Sequence, residues 1–228
     1  MGKKEYSGAR VLEIMTEAKR YNAWLSSLIL KHAPQGTMMD IGAGVGTFAA
    51  VNVAKGYRVT CVEPDEQLRD HIRRKGLSVT ASVNDIADES IDFIYALNVL
   101  EHVENDAETL SQWSKKLRQG GKMLIYVPAF KLLYSSFDQS IGHFRRYNKI
   151  TLVRLMINAG IQVEKAAYAD ITGFFAALLF KCTDNGSGQI NGKFLRLYDR
   201  MIFPLNRVLS FCSVFFGKNV YAVGTKRS

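Results

Sequence analysis

Residues 137–148, FDQSIGHFRRYN, gather a histidine, two arginines and a tyrosine into one short run. The imidazole of His143 could take a proton from a substrate, and a planar guanidinium such as that of Arg146 can bind a carboxylate or phosphate through two parallel hydrogen bonds. Adjacent side chains do not easily face the same way, so Arg146 is expected inward and Arg145 in solvent. Tyr134 and Asp138 are candidates for the wall of the same site or for orienting His143. The same residue types would equally hold a loop together by ion pairs and stacking. His102, in Leu-Glu-His-Val, is a second candidate base, with helix capping or a loop hydrogen bond as the competing use.

A second group lies upstream, in DIGAGVG at 40–46. Asp40, Gly42, Ala43, Gly44 and Gly46 stand where a strand turns sharply into a helix, so that a ligand can approach bare backbone N–H groups. The spacing is G-x-G-x-G, not the G-x-G-x-x-G of a dinucleotide turn. Glu63, followed by Pro64, ends the next strand 23 positions after Asp40. A carboxylate at that place can accept hydrogen bonds from two ribose hydroxyls, so a nucleoside ligand is implied.

These groups need elements to position them. Apolar residues at helical spacing predict a helix over 8–31, and Pro34-Gln35-Gly36 ends it. Strands are expected at TMMDI, YRVTCVEPD, LSVTAS, IDFIYALNV, KMLIYVP after Gly120-Gly121, IQVEKAAYA and NVYAVGTK, with helices near 47–55, 66–75, 106–118 and 149–159 between them. The alternation predicts an α/β fold: a seven-stranded, mostly parallel sheet with helices on both faces, an N-terminal helix and an insertion before the last strand. Ligands of such sheets bind at the carboxyl ends of the strands, which is where both groups fall.

The chain of 228 residues is 47% hydrophobic, enough for a substantial core, and carries a net charge of +9. Residues 1–110 hold 12 basic and 16 acidic side chains, whereas 111–228 hold 18 and 5. That asymmetry suits an anionic partner: a small molecule, an acidic membrane surface or nucleic acid. Three scattered cysteines indicate neither a disulfide framework nor a zinc knuckle, and no metal is expected. The charged N-terminus predicts no export signal. In FLRLYDRMIFPLNRVLSF, Arg196, Arg200 and Arg207 fall within about 40° on a helical wheel over an apolar body. This stripe suits either a lid helix or contact with an anionic membrane surface through 194–216. Pro204 should kink it.

DIGAGVG, VTCVEPD and SIDFIYALNVLEHVEND resemble, in order and context, the motifs of the class I S-adenosylmethionine-dependent methyltransferases, and the chain is similar to the bacterial group that also carries a Gly-His-aromatic-Arg-Arg-Tyr run. The resemblance implies a Rossmann-like domain over 1–228: a helical cap (1–36), a cofactor-binding core (37–168), an insertion or lid (169–218) and the last strand (219–228). It implies S-adenosylmethionine as cofactor and S-adenosylhomocysteine as product. By position, Asp40, Gly42, Ala43, Gly44 and Gly46 would line the amino-acid end, Glu63 and Pro64 the ribose, Asn84 or Asp85 the adenine and Asn98 the methionine moiety. Tyr21 and Trp24 would cover the cofactor or pack the helix on the sheet. The expected acceptor is a small-molecule or lipid-linked compound with an anionic group, methylated at oxygen or nitrogen in the cytoplasm or at the inner membrane surface. A macromolecular acceptor, RNA or protein, and a non-catalytic cofactor-binding subunit are the alternatives. Nucleic acid is disfavoured because the basic residues mix with apolar ones.

Overall fold

The computed structural model describes residues 14–183 and 192–227. Seven strands form one sheet in the order β3-β2-β1-β4-β5-β7-β6. They are β1 (Thr37–Ile41), β2 (Arg58–Val62), β3 (Ser78–Thr80), β4 (Ile91–Leu97), β5 (Leu117–Pro128), β6 (Ile161–Ala169) and β7 (Asn219–Lys226). All neighbours run parallel except β7, which lies antiparallel between β5 and β6.

Side-chain alternation along the strands builds two cores. Phe93, Tyr95, Leu124 and Tyr126 face one side, packed with Leu25, Leu28 and Ile29 of helix α1 (Lys19–His32) and with Ala49 of α2 (Thr47–Ala54). Ile72 of α3 (Glu66–Arg74) joins the same layer. Ile94, Ala96, Met123 and Ile125 face the other, against Leu110 and Trp113 of α4 (Asp106–Lys116). After β5 come a short α5 (Ser136–Ser140) and α6 (Lys149–Asn158), whose Leu152 and Met156 complete the second core. Helix starts follow local chemistry: Asp65 accepts from Leu68 N–H at 3.0 Å to begin α3, and Asn148 accepts from Thr151 N–H at 2.8 Å to begin α6.

Two of the differences from the sequence-based boundaries have a visible physical cause. The N-terminal helix does not run unbroken: the chain turns at Glu17-Ala18 and α1 starts at Lys19. Its opening N–H groups are capped from afar, Arg20 and Tyr21 donating to the Asp199 carboxylate at 3.0 and 2.8 Å. Residues 8–13 lie outside the described residues. Strand β5 begins before Gly120-Gly121, at Leu117, which pairs with Ile91; a register shift then brings Lys122 opposite Phe93, so the residues between bulge out.

The insertion comprises α7 (Ile171–Thr183), α8 (Gly192–Leu197), a π-helical turn at Tyr198–Ile202 and a 3₁₀ stretch at Phe203–Val214. The change of helical type at Phe203-Pro204 is the expected break: proline lacks the N–H that a continuing helix needs. Arg196 and Arg200 are exposed, as are Phe194, Leu197, Met201, Leu205, Val208, Phe211, Val214 and Phe215. The side chain of Arg207 lies outside the described residues. Among those described, no helix is long and apolar enough to cross a membrane.

Candidate functional site

A cavity of about 1200 Å³ opens at the carboxyl ends of β1, β2, β4 and β5. At its floor the glycine turn is forced by close approach. Gly42 has φ +66°, and a Cβ there would stand 2.4 Å from Val99 Cγ2. Gly42, Ala43 and Gly44 line the cavity, together with Asp40, Glu63, Pro64 and Asn98. Gly46 serves differently: at φ +74° it starts α2, and a Cβ would press to 3.0 Å on Leu77, so this glycine lets the turn pack on the α3–β3 connection.

Both acids of this half are perturbed. Burial pushes the Asp40 carboxyl up to about 7, partly opposed by a hydrogen bond from Tyr95, and Asp40 Oδ2 has no hydrogen-bond partner. Burial likewise raises Glu63, whose two oxygens accept from Gly44 N–H at 2.8 Å and Asp65 N–H at 3.1 Å. A carboxylate has about four lone-pair sites, so Glu63 keeps capacity for ligand hydroxyls. The unpartnered acceptor on Asp40 and the bare glycine turn fit a nucleoside with a cationic amino-acid end.

Asn84 and Asp85 do not line the cavity. They sit in an exposed 3₁₀ turn, Val83–Asp85, where Asp85 accepts from Ser82 N–H at 3.1 Å and from the Thr80 hydroxyl and so is spent on its own turn. Of the YNAW pair, Tyr21 lines the cavity and hydrogen-bonds Tyr126 at 2.9 Å, whereas Trp24 packs edge-on against Tyr126 and Phe203. Asn98 adopts φ +54° and its side-chain oxygen accepts from Asn219 at 3.2 Å. Lys218 and Asn219, at the start of β7, are lining residues absent from the sequence-based set. Lys218 pairs with Asp170 at 2.9 Å and lies over the Tyr21 ring.

The 137–148 run folds back along the end of β5. Phe130 N–H donates to Tyr147 O, Tyr147 N–H to Pro128 O and Phe144 N–H to Glu101 O. Tyr147, buried, donates its hydroxyl to Asp106 at 3.0 Å, which anchors the run to the start of α4. His143 and Arg146 both line the cavity and both meet Asp138, as expected for an orienting acid. His143 Nδ1 is 2.7 Å from Asp138 Oδ1, and Arg146 donates to the two Asp138 oxygens at 2.9 and 3.0 Å. Burial pushes the Asp138 carboxyl up, but hydrogen bonds from His143 and Arg146 outweigh it and hold it at about 2. Much of the Arg146 fork is therefore already engaged. Arg145 points away from the cavity, yet it is not simply solvated: it pairs with Asp106 at 2.8 Å and donates to Glu104 O. Tyr134 does not line the cavity and instead donates to His143 O at 2.7 Å.

His102 lines the cavity with its ring 4.6 Å from that of His143, and burial lowers it to about 4, so it is a neutral imidazole near pH 7. Beside it is a residue that the motif reading passed over. Glu101 is fully buried, neither carboxylate oxygen has a hydrogen-bond partner, and burial raises it to about 8. The available signal was the Glu-His pair after β4 facing a histidine after the neighbouring β5.

The far wall is apolar, built from α7 (Ala176, Ala177, Leu179 and Phe180) and from Phe194 and Leu195 of α8. Among known proteins, a probable S-adenosylmethionine-dependent methyltransferase of Mycolicibacterium smegmatis is 28% identical over 134 residues, covering 56% of this chain and 52% of that protein. The chain thus spans about half the length of the curated relatives it matches. An S-adenosylmethionine-dependent methyltransferase structure from Archaeoglobus fulgidus superposes with a TM-score of 0.63 at 19% identity, over 92% of this chain and 94% of that one. The putative methyltransferase solved with the Haloferax volcanii Trm112 activator gives 0.67 at 15% identity over the whole of both chains. Residues 12–166 match the family described as methyltransferase domain, and the chain belongs to that family.

Proposed function

We propose that the protein transfers a methyl group from S-adenosylmethionine to oxygen or nitrogen of a small-molecule or lipid-linked acceptor. The observation that carries this reading is the continuity of one cavity, from the glycine turn and Glu63 through Asn98 to His102, His143 and the apolar wall of the insertion. A bound sulfonium supplies an electrophilic methyl and a neutral leaving group, so the protein's work is positioning plus management of the acceptor's proton. Glu63 holds the ribose hydroxyls, Asp40 and the 42–44 backbone hold the amino-acid end, and Asn98 fixes the floor between cofactor and acceptor. Trp24 serves packing, and Tyr21 covers the cavity.

On the acceptor side, His102 and His143 line the cavity, and Asp138 orients the His143 ring. Arg146 braces the loop, donating to both Asp138 oxygens and to Ala129 O. Residues 169–218 act as a lid whose inner face supplies the apolar wall. Its outer face, with exposed Val208, Phe211, Phe215 and Arg200 on a chain half of strongly positive charge, suits contact with an anionic membrane surface. A lipid-linked acceptor would then meet the cavity at the membrane.

Calorimetry with S-adenosylhomocysteine tests the cofactor half: micromolar binding is expected, weakened at least tenfold in Glu63→Ala. Absence of binding in the folded wild type would sink the reading. Methyl label traced through lipid and aqueous extracts of a deletion strain and its complemented parent then separates the acceptor classes. A macromolecular acceptor is the second reading, favoured by the basic C-terminal half and by the Haloferax neighbour's solved complex with a methyltransferase activator. RNA binding that falls steeply with salt would select it.

A further inference from the structure

We propose that Glu101, His102 and His143 form a binding site for one divalent transition-metal ion on the acceptor side of the cavity. One ligand atom from each lies within 4.8 Å of the other two. His143 Nε2 is 3.7 Å from Glu101 Oε1. Donors held about 2.0–2.2 Å from a tetrahedral ion stand roughly 3.4 Å apart, so the pocket needs only a small contraction to close on one.

Three further observations fit a ligand set better than a fortuitous cluster. His143 turns Nδ1 to Asp138 at 2.7 Å, which leaves Nε2 facing Glu101. A carboxylate behind a ligating imidazole is the usual support for a metal-bound histidine, fixing its tautomer and raising its basicity. Glu101 is 0% exposed with both oxygens unpartnered, whereas the buried acid behind His143, Asp138, is fully engaged. A buried carboxyl group without a partner is costly, and an ion is the kind of partner that removes the cost. His102 lines the same cavity with its ring 4.6 Å from that of His143, which brings both imidazoles to one point of the wall.

Two imidazoles and one carboxylate suit Zn²⁺, Mn²⁺, Fe²⁺ or Co²⁺ more than Ca²⁺, and three protein ligands leave positions open. Those positions face the cavity, where an oxygen donor of the acceptor (a hydroxyl, carboxylate or phosphate) can complete the coordination. This role deepens the methyl-transfer reading and rests on it; the ion site itself does not.

The test uses tag-free protein stripped with chelator and titrated with Zn²⁺, Mn²⁺ and Co²⁺. One equivalent should bind with a micromolar or lower Kd. Co²⁺ should give a visible absorption band distinct from that of the aqueous ion, a measurement that needs no variant. Glu101→Gln and His143→Gln should each weaken binding at least 100-fold while S-adenosylhomocysteine affinity stays within about twofold of wild type. Failure of the folded wild type to bind any of the three ions at 1 mM, or binding that both substitutions leave intact, overturns the proposal. If ion binding fails while S-adenosylhomocysteine binds, the methyltransferase reading stands; if the reverse, only the ion's catalytic context is lost.

Discussion

The carboxylate of Asp199 accepts the backbone N–H of Tyr21 at 2.8 Å across 178 positions of sequence, so the insertion caps the first helix. A side chain of the insertion therefore decides where a helix of the core begins. Replacing Asp199 with Ala strips two N–H groups of their partner and should cost about 1–2 kcal/mol by chemical denaturation. Asp199→Asn, which keeps an accepting oxygen, should recover at least half of the loss.

Asp138→Asn should be far more damaging. The substitution leaves Arg146, buried in the same loop, without its counter-charge, and such a break costs about 3–5 kcal/mol. The sign with pH follows from the depressed carboxyl. Its contribution is complete above the unfolded value of about 3.9 and is lost as pH falls through about 2. Melting curves of wild type and variant should therefore converge between pH 4 and 2.

Glu101 carries the opposite sign. Its folded carboxyl titrates near 8 against about 4.3 unfolded, so without divalent ions its contribution is fully present below about 4.3 and is lost as pH rises to 8. In chelator, wild type should lose stability across that window, and Glu101→Gln should lose less. His102, lowered to about 4 from about 6.5, contributes above 6.5 and loses its contribution as pH falls through 4. His102→Gln should flatten that acid limb.

Gly42→Ala brings a Cβ to 2.4 Å from Val99 Cγ2 at φ +66°. The left-handed backbone alone costs an L-residue about 1–2 kcal/mol, and the displaced Val99 disturbs the floor of the cavity. S-adenosylhomocysteine affinity should fall at least tenfold in calorimetry. The double variant with Val99→Ala should regain the part due to the clash but not the part due to φ.

Val208, Phe211 and Phe215 are each more than 70% exposed. Changing all three to Ser should abolish co-sedimentation with phosphatidylglycerol vesicles, with cofactor affinity unchanged. Wild type that ignores such vesicles would remove the membrane part of the proposed function.

The sheet was legible because each strand is a short apolar run between turn residues, and only a layered α/β arrangement buries seven of them. Asp40, the glycine turn and Glu63 were legible for a related reason: register along β1 and β2 places them together. What escaped depends on distant chain. The break at Glu17-Ala18 is set by Asp199, and the use of Asp85 by a 3₁₀ turn too short for periodicity to reveal. Glu101 reads as one acid among many until the loop after β5 folds back and sets His143 against it.

Lys218 and Asn219 enter the cavity from the start of β7, the strand wedged between β5 and β6. During synthesis, β1 to β5 emerge first, and the sheet can only grow as far as an unfilled slot. The nascent chain would thus display the glycine turn and Glu63 early while the walls around them wait for β7. Competence to hold the cofactor should appear abruptly, when that last strand clears the ribosome and threads into its place.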